Sequence, residues 1–120
     1  MSAEKTIHFV SLGCVKNRFD TEVMQALGER VYCKVGAEAV FCASFPERGL
    51  GVAIKIDDGN TARAAEVAMA ATIEAFVELD ADEATLLHRL SEASLRNWNG
   101  IEVGTLRATD ELREGLARRA

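Results

Sequence analysis

Between Arg30 and Ile56 the chain carries three β-rich segments in quick succession: Arg30 to Val35, Glu38 to Phe45 and Leu50 to Ile56. Only Gly36-Ala37 and Pro46-Glu47-Arg48-Gly49 separate them. Connections this short cannot carry a crossover, so they join antiparallel neighbours. Successive strand side chains point to opposite faces, which puts Ala39, Phe41, Ala43 and Phe45 on one face of the second segment. Leu50, Val52, Ile54 and Ile56 share one face of the third. A three-stranded antiparallel meander with one apolar face is the expected result.

That face needs a cover. Asp57-Asp58-Gly59-Asn60 has the composition of a turn and a helix cap, and Thr61 to Leu79 follows with Ala62, Ala65, Met69, Ile73 and Phe76 at spacings of three and four. Arg63, Glu66, Glu74 and Glu78 fall elsewhere on the cylinder. The expected fold class is α+β, an antiparallel three-stranded meander covered by a C-terminal helix. Further on, Asp82 is positioned to cap a short helix through Leu90, Ile101 to Leu106 reads as a strand, and an Asp-capped tail helix begins near Asp110. Upstream, Thr6 to Leu12 reads as a short strand ending at Gly13, and a helix follows over Asn17 to Leu27.

A net charge of -5 without a basic stripe excludes nucleic acid as an expected partner, and no apolar run of 18 residues is available to span a membrane. Met1 to Lys5 opens no secretory leader, so a cytoplasmic protein is expected, with its three cysteines as reduced thiols.

Residues 7 to 24, Ile-His-Phe-Val-Ser-Leu-Gly-Cys-Val-Lys-Asn-Arg-Phe-Asp-Thr-Glu-Val-Met, resemble the opening of radical-SAM methylthiotransferases. The resemblance implies that Cys14 matches the first of three cysteine ligands of an iron–sulfur cluster. The separate Cys-x3-Cys-x2-Cys motif of that family does not occur in this sequence, and Val15 stands where a proline usually follows the cysteine.

From Arg30 a second resemblance takes over. Arg30-Val31-Tyr32-Cys33-Lys34-Val35-Gly36-Ala37-Glu38, the run from Ala43 to Gly59, and Arg96-Asn97-Trp98-Asn99-Gly100-Ile101-Glu102-Val103-Gly104 are similar to type-II-like L-asparaginases of the rhizobial type. The chain then reads as a fusion: residues 1–24 as a methylthiotransferase-like remnant and residues 25–120 as an asparaginase-II-like C-terminal region. The resemblance implies a fragment of a serine β-lactamase-like fold, in which a Ser-x-x-Lys nucleophile sits on a helix and a Lys-Thr-Gly triplet lies on the strand bordering the site.

Lys34-Val35-Gly36 stands at the triplet. In that role Lys34 is the catalytic candidate, because a lysine at a cleft relays a proton and offsets an oxyanion, and Gly36 lets substrate approach the backbone. Gly36 and Glu38 are the substrate-binding candidates. Val35 lacks the hydroxyl of a threonine. Without this context Lys34 is an ordinary solvated strand lysine.

The only Ser-x-x-Lys spacing in the sequence is Ser2-Ala3-Glu4-Lys5, at the N-terminus, and it is rejected as the nucleophile. The expectation is therefore a region related to hydrolysis of L-asparagine to aspartate and ammonia, inactive alone, with L-asparagine as the small-molecule substrate if active and no cofactor. Two alternatives belong to other classes: an iron–sulfur protein built on Cys14, and a non-catalytic module that forms a homo-oligomer through an uncovered sheet edge or face.

No metal site is expected outside the iron–sulfur alternative. Cys33 and Cys42 are expected to share one face of a hairpin turning at Gly36-Ala37, as two small buried thiols. His8 and His88 have no ligand partner at metal spacing, and Asp57 and Asp58 are explained by turn and cap duties. Trp98, between Asn97 and Asn99, reads as a packing anchor for the tail, and the family signature that it belongs to leaves a binding role open.

Overall fold

A computed structural model describes residues 18–59 and 64–120 of the chain. The first helix, α1 (Arg18–Leu27), places Phe19, Val23 and Leu27 at spacings of four, and all three are buried. A left-handed Gly28 (φ 61°) ends it, and the short turn Gly28–Arg30 leads into the sheet. The expected strand over Thr6 to Leu12 lies outside the described residues.

The meander forms as the sequence predicts. Strands β1 (Tyr32–Gly36), β2 (Val40–Phe45) and β3 (Leu50–Lys55) pair antiparallel in the order β1-β2-β3. Ala39, Phe41, Ala43 and Phe45 are all buried, as the alternation requires. Phe41 meets Phe19 of α1 edge to face at 5.1 Å, which fixes α1 over this side of the sheet. Val52, Ile54 and Ile56 are half-buried against the same core, while Leu50 reaches the rim. Between β2 and β3 the turn Pro46–Arg48 closes on Gly49, whose φ of 60° and N–H to the Pro46 carbonyl (3.1 Å) need a residue without Cβ strain.

Helix α2 (Glu66–Phe76) follows one wider turn at 64–65. The expected stripe is correct where it is described: Ala65, Met69, Ile73 and Phe76 are buried, with Phe76 edge to face on Phe45 at 5.7 Å. Residues 60–63 lie outside the described residues, and Asp57-Asp58-Gly59 forms a turn closed by the Gly59 N–H on the Ile56 carbonyl at 3.1 Å.

The helix stops at Phe76 rather than Leu79, because Val77 turns extended (φ -119°, ψ 134°). Arg48 donates through Nε to the Phe76 carbonyl at 2.7 Å, and Arg30 donates to the Glu78 carbonyl at 3.0 Å. These guanidiniums satisfy carbonyls at and just beyond the helix end that have no partner within the helix.

Helix α3 (Ala81–Ser91) is capped by Asp80, not Asp82. Asp80 accepts from the Glu83 N–H at 2.8 Å while the Glu83 side chain accepts from the Asp80 N–H at 3.1 Å, a reciprocal capping box. Asp82 sits in the first turn, where its charge favours the positive helix end. Two strands then form a separate antiparallel hairpin, β4 (Glu92–Arg96) and β5 (Glu102–Arg107); β5 matches the expected strand within a residue, while β4 was not expected. Helix α4 (Asp110–Arg119) closes the chain, capped by Thr109, whose Oγ1 accepts from the Leu112 N–H at 3.2 Å; the expected Asp cap is one residue late.

α2 lies at the centre. Val67, Ala70, Ala71 and Thr72, off the expected stripe, are also buried, because α3 and α4 pack on the sides that the sheet leaves open. Among the described residues no helix is long and apolar enough to cross a membrane.

Candidate functional site

Strand β1 is an edge of the three-stranded sheet, with β2 as its only strand partner among the described residues. Pleating sends Cys33 and Val35 toward the core and leaves Lys34 exposed on the opposite, open face. Directly across from Lys34 is Cys42, and beyond it Ala53 of β3. The next row on this face is Gly36, Val40 and Lys55, and the preceding one Tyr32, Ser44 and Gly51. The open face is therefore lined mostly by small residues, with two lysines standing over them.

Cys33 and Cys42 do not share a face. Cys33 pairs with Ala43 and is buried, whereas Cys42 pairs with Lys34 and is exposed. The hairpin turns over Ala37, Glu38 and Ala39 instead of Gly36-Ala37, so the register differs by an odd number of residues and Lys34, not Cys33, shares the face of Cys42. Two thiols on opposite faces of one sheet cannot bind one ion. Among the described residues no cluster of three or more His, Cys, Asp or Glu side chains has metal-binding geometry. Cys14 lies outside the described residues.

Gly36 ends β1, and Glu38 sits at the hairpin turn with a left-handed backbone (φ 58°), followed by Ala39 (φ 59°). Left-handed conformations cost non-glycine residues energy, and surrounding bonds hold this one in place. Lys55 Nζ donates to the Glu38 carbonyl and, at 3.1 Å, to the Ile56 carbonyl, while the Ile56 N–H donates to the Ala39 carbonyl at 3.1 Å. Gly59 (φ 73°) brings the Asp57-Asp58-Gly59 turn close enough that a Cβ there would lie 4.0 Å from the Glu38 Cα.

Lys34 and Gly36 thus share the open face, and the exposed Glu38 stands at the end of the same hairpin. The sequence reading missed two neighbours of Lys34 that carry nucleophilic atoms: the Cys42 thiol directly across the ladder, and the exposed Ser44 hydroxyl one diagonal step away, about 7–8 Å between Cα positions in a regular sheet. Strand alternation holds the signal for both, since 42 and 44 have the opposite parity to the buried 41, 43 and 45. His88 pairs at 3.5 Å with Glu92 one helical turn away.

No curated protein sequence matches the chain. The family model for L-asparaginase II matches residues 13–108, a span that includes the whole meander, α2, α3 and the β4–β5 hairpin. With four-fifths of its length inside that match, the chain belongs to the L-asparaginase II family.

Proposed function

We propose that this chain provides the lysine-bearing half of an L-asparaginase site, acting on the side-chain amide of L-asparagine to give aspartate and ammonia. The observation that carries this reading is the placement of Lys34: exposed, on an edge strand, two residues before a glycine on the same open face, in a chain of the L-asparaginase II family. An ammonium on such a face offsets the oxyanion of a tetrahedral intermediate or passes a proton to the departing ammonia. Gly36 leaves the backbone open to substrate, and Glu38 offers a carboxylate to the α-ammonium of asparagine. This division of roles follows the Lys-Thr-Gly strand of serine β-lactamase-like folds, with Val35 in the threonine position.

The chain alone is proposed to be inactive, because its one Ser-x-x-Lys spacing, Ser2 to Lys5, is not a credible nucleophile. Ammonia release from asparagine by the purified chain is expected at background. Co-expression with the Ser-x-x-Lys portion of an L-asparaginase II should restore release, and Lys34→Ala should then lower it by about 10²- to 10⁴-fold, the usual range for a proton-transfer group. Activity of the chain alone that Lys34→Ala abolishes would refute the inactivity; restored activity indifferent to Lys34→Ala would refute the assigned role.

A further inference from the structure

The three-stranded sheet ends in two turns that a single lysine joins. The β1–β2 hairpin turns over Ala37, Glu38 and Ala39, and β3 leaves the sheet through Ile56 into Asp57-Asp58-Gly59. Both turns lie at the same end, because Val40 at the start of β2 pairs with Lys55 at the end of β3. From there Lys55 Nζ donates to the Glu38 carbonyl in the first turn and, at 3.1 Å, to the Ile56 carbonyl in the second. The Ile56 carbonyl also accepts the Gly59 N–H at 3.1 Å, and the Ile56 N–H donates to the Ala39 carbonyl at 3.1 Å. An ammonium has three donors, and the backbone takes two of them here.

The first turn does not keep its shape unaided. Glu38 and Ala39 are consecutive residues with φ of 58° and 59°. Glycine visits that region routinely and asparagine or aspartate on occasion, so glutamate followed by alanine persists there only where the surroundings hold both. The donors that hold them are Lys55 Nζ on the Glu38 carbonyl and the Ile56 N–H on the Ala39 carbonyl. A charged donor binds a carbonyl more strongly than a neutral one does. An exposed lysine otherwise swings freely on its four-carbon stem, whereas this one is fixed at its far end by two carbonyls.

The clamped residue is one to which the proposed site gives a ligand role. Lys34, Gly36 and the turn follow one another along the open face, so an asparagine with its amide at Lys34 has its α-carbon directed toward Glu38. A carboxylate on a turn already held in place loses less freedom on binding than one on a turn that must first be ordered.

We propose that Lys55 is a positioning residue for this site: by fixing the left-handed turn it presents the Glu38 carboxylate to the α-ammonium of asparagine, and so favours an amino-acid amide over the same amide without its amino group. The substrate side of this role rests on the asparaginase reading above, and the clamp rests on the backbone geometry alone.

The clamp is tested on the 120-residue chain by amide hydrogen exchange. Trp98, its single tryptophan, is fully exposed at the β4–β5 turn instead of anchoring the tail, so indole emission is no substitute readout. Lys55→Met should speed exchange of the Ile56 and Gly59 amides about tenfold, the effect of one lost bond from a charged donor, while helix α2 keeps its protection. Lys55→Arg, which keeps a charged donor, should restore the slow exchange. Unchanged exchange in Lys55→Met, or an Ile56 amide of the unmodified chain that exchanges at a free-peptide rate, would overturn the proposal whatever the substrate.

In the two-part assembly, asparagine and succinamate, which is asparagine without its α-amino group, separate positioning from general damage. Lys55→Met should raise the KM for asparagine about tenfold with kcat within about twofold, and leave kcat/KM for succinamate unchanged. Lys55→Arg should return the KM toward its original value. An equal loss on both amides would overturn the assigned role, since a disturbed sheet or a lost contact to the shared carboxylate affects them alike. Release indifferent to Lys34→Ala, with the exchange pattern as expected, would sink the asparaginase reading and leave the clamp standing.

Discussion

Arg30 and Glu83, 53 residues apart in sequence, form a two-pronged ion pair that ties the turn before β1 to the first turn of α3. Glu83 also closes the capping box with Asp80, so one carboxylate holds a helix start and a long-range contact together. Its hydrogen bonds from the Arg30 guanidinium, and then from the Asp80 N–H, hold its pKa below the ordinary carboxylate value; the same pair raises that of Arg30.

Glu83→Gln should therefore destabilise the fold by about 1–3 kcal/mol near neutral pH, the scale of a charge-assisted hydrogen bond together with a cap. A carboxylate with a depressed folded pKa contributes stability above its unfolded value, about 4.3, and that contribution disappears as pH falls through the folded value. Urea unfolding of both proteins should show a constant gap from neutral pH to about 4.3, closing at more acid pH. A gap that widens on acidification would contradict the pairing.

Reactivity should separate the two described cysteines. Cys42 lies on the open face and Cys33 in the core, so a small alkylating reagent should modify Cys42 at a peptide-like rate and Cys33 only when the sheet opens. Peptide mapping after timed alkylation should show Cys33 slower by a factor of about 100 or more, a modest opening energy of roughly 3 kcal/mol. Equal labelling would mean that the register places both thiols on one face.

The left-handed backbone at Glu38 predicts a gain of stability on substitution. Glu38→Gly relieves a conformation that costs an ordinary residue about 1–2 kcal/mol, less the glycine entropy in the unfolded chain, for a net gain of about 0.5–1 kcal/mol. The melting temperature should rise by a few degrees. In the two-part asparaginase assay the same variant should raise the KM for asparagine, so that stability and substrate binding move in opposite senses.

The three strands of the meander were legible within two residues, because Phe41, Ala43 and Phe45 alternate strictly and Pro46 to Gly49 breaks the run. Which residue of β1 stands opposite Cys42 was not. It depends on where the hairpin turns, and the positive φ angles there belong to Glu38 and Ala39, residue types that give no sign of them. Strand β4 escaped notice for a related reason: Glu92-Ala93-Ser94-Leu95-Arg96 contains no β-branched or aromatic residue and owes its conformation to pairing with β5. The cap at Asp80 was hidden by the choice among three nearby acids, which only the reciprocal bond from Glu83 distinguishes. Of the site, the position of Lys34 on an outward strand face could be read from parity, whereas its neighbours Cys42 and Ser44 needed the register.

Helix α2 has no side turned fully to water, since the sheet, α3 and α4 enclose it between them. The stretch shared with L-asparaginase II ends at residue 108, yet Leu116 of α4 reaches back over Val67 and Ala71. A chain cut at residue 108 would therefore bare an oily flank of α2, so the last helix acts as a seal for packing that lies well upstream of it.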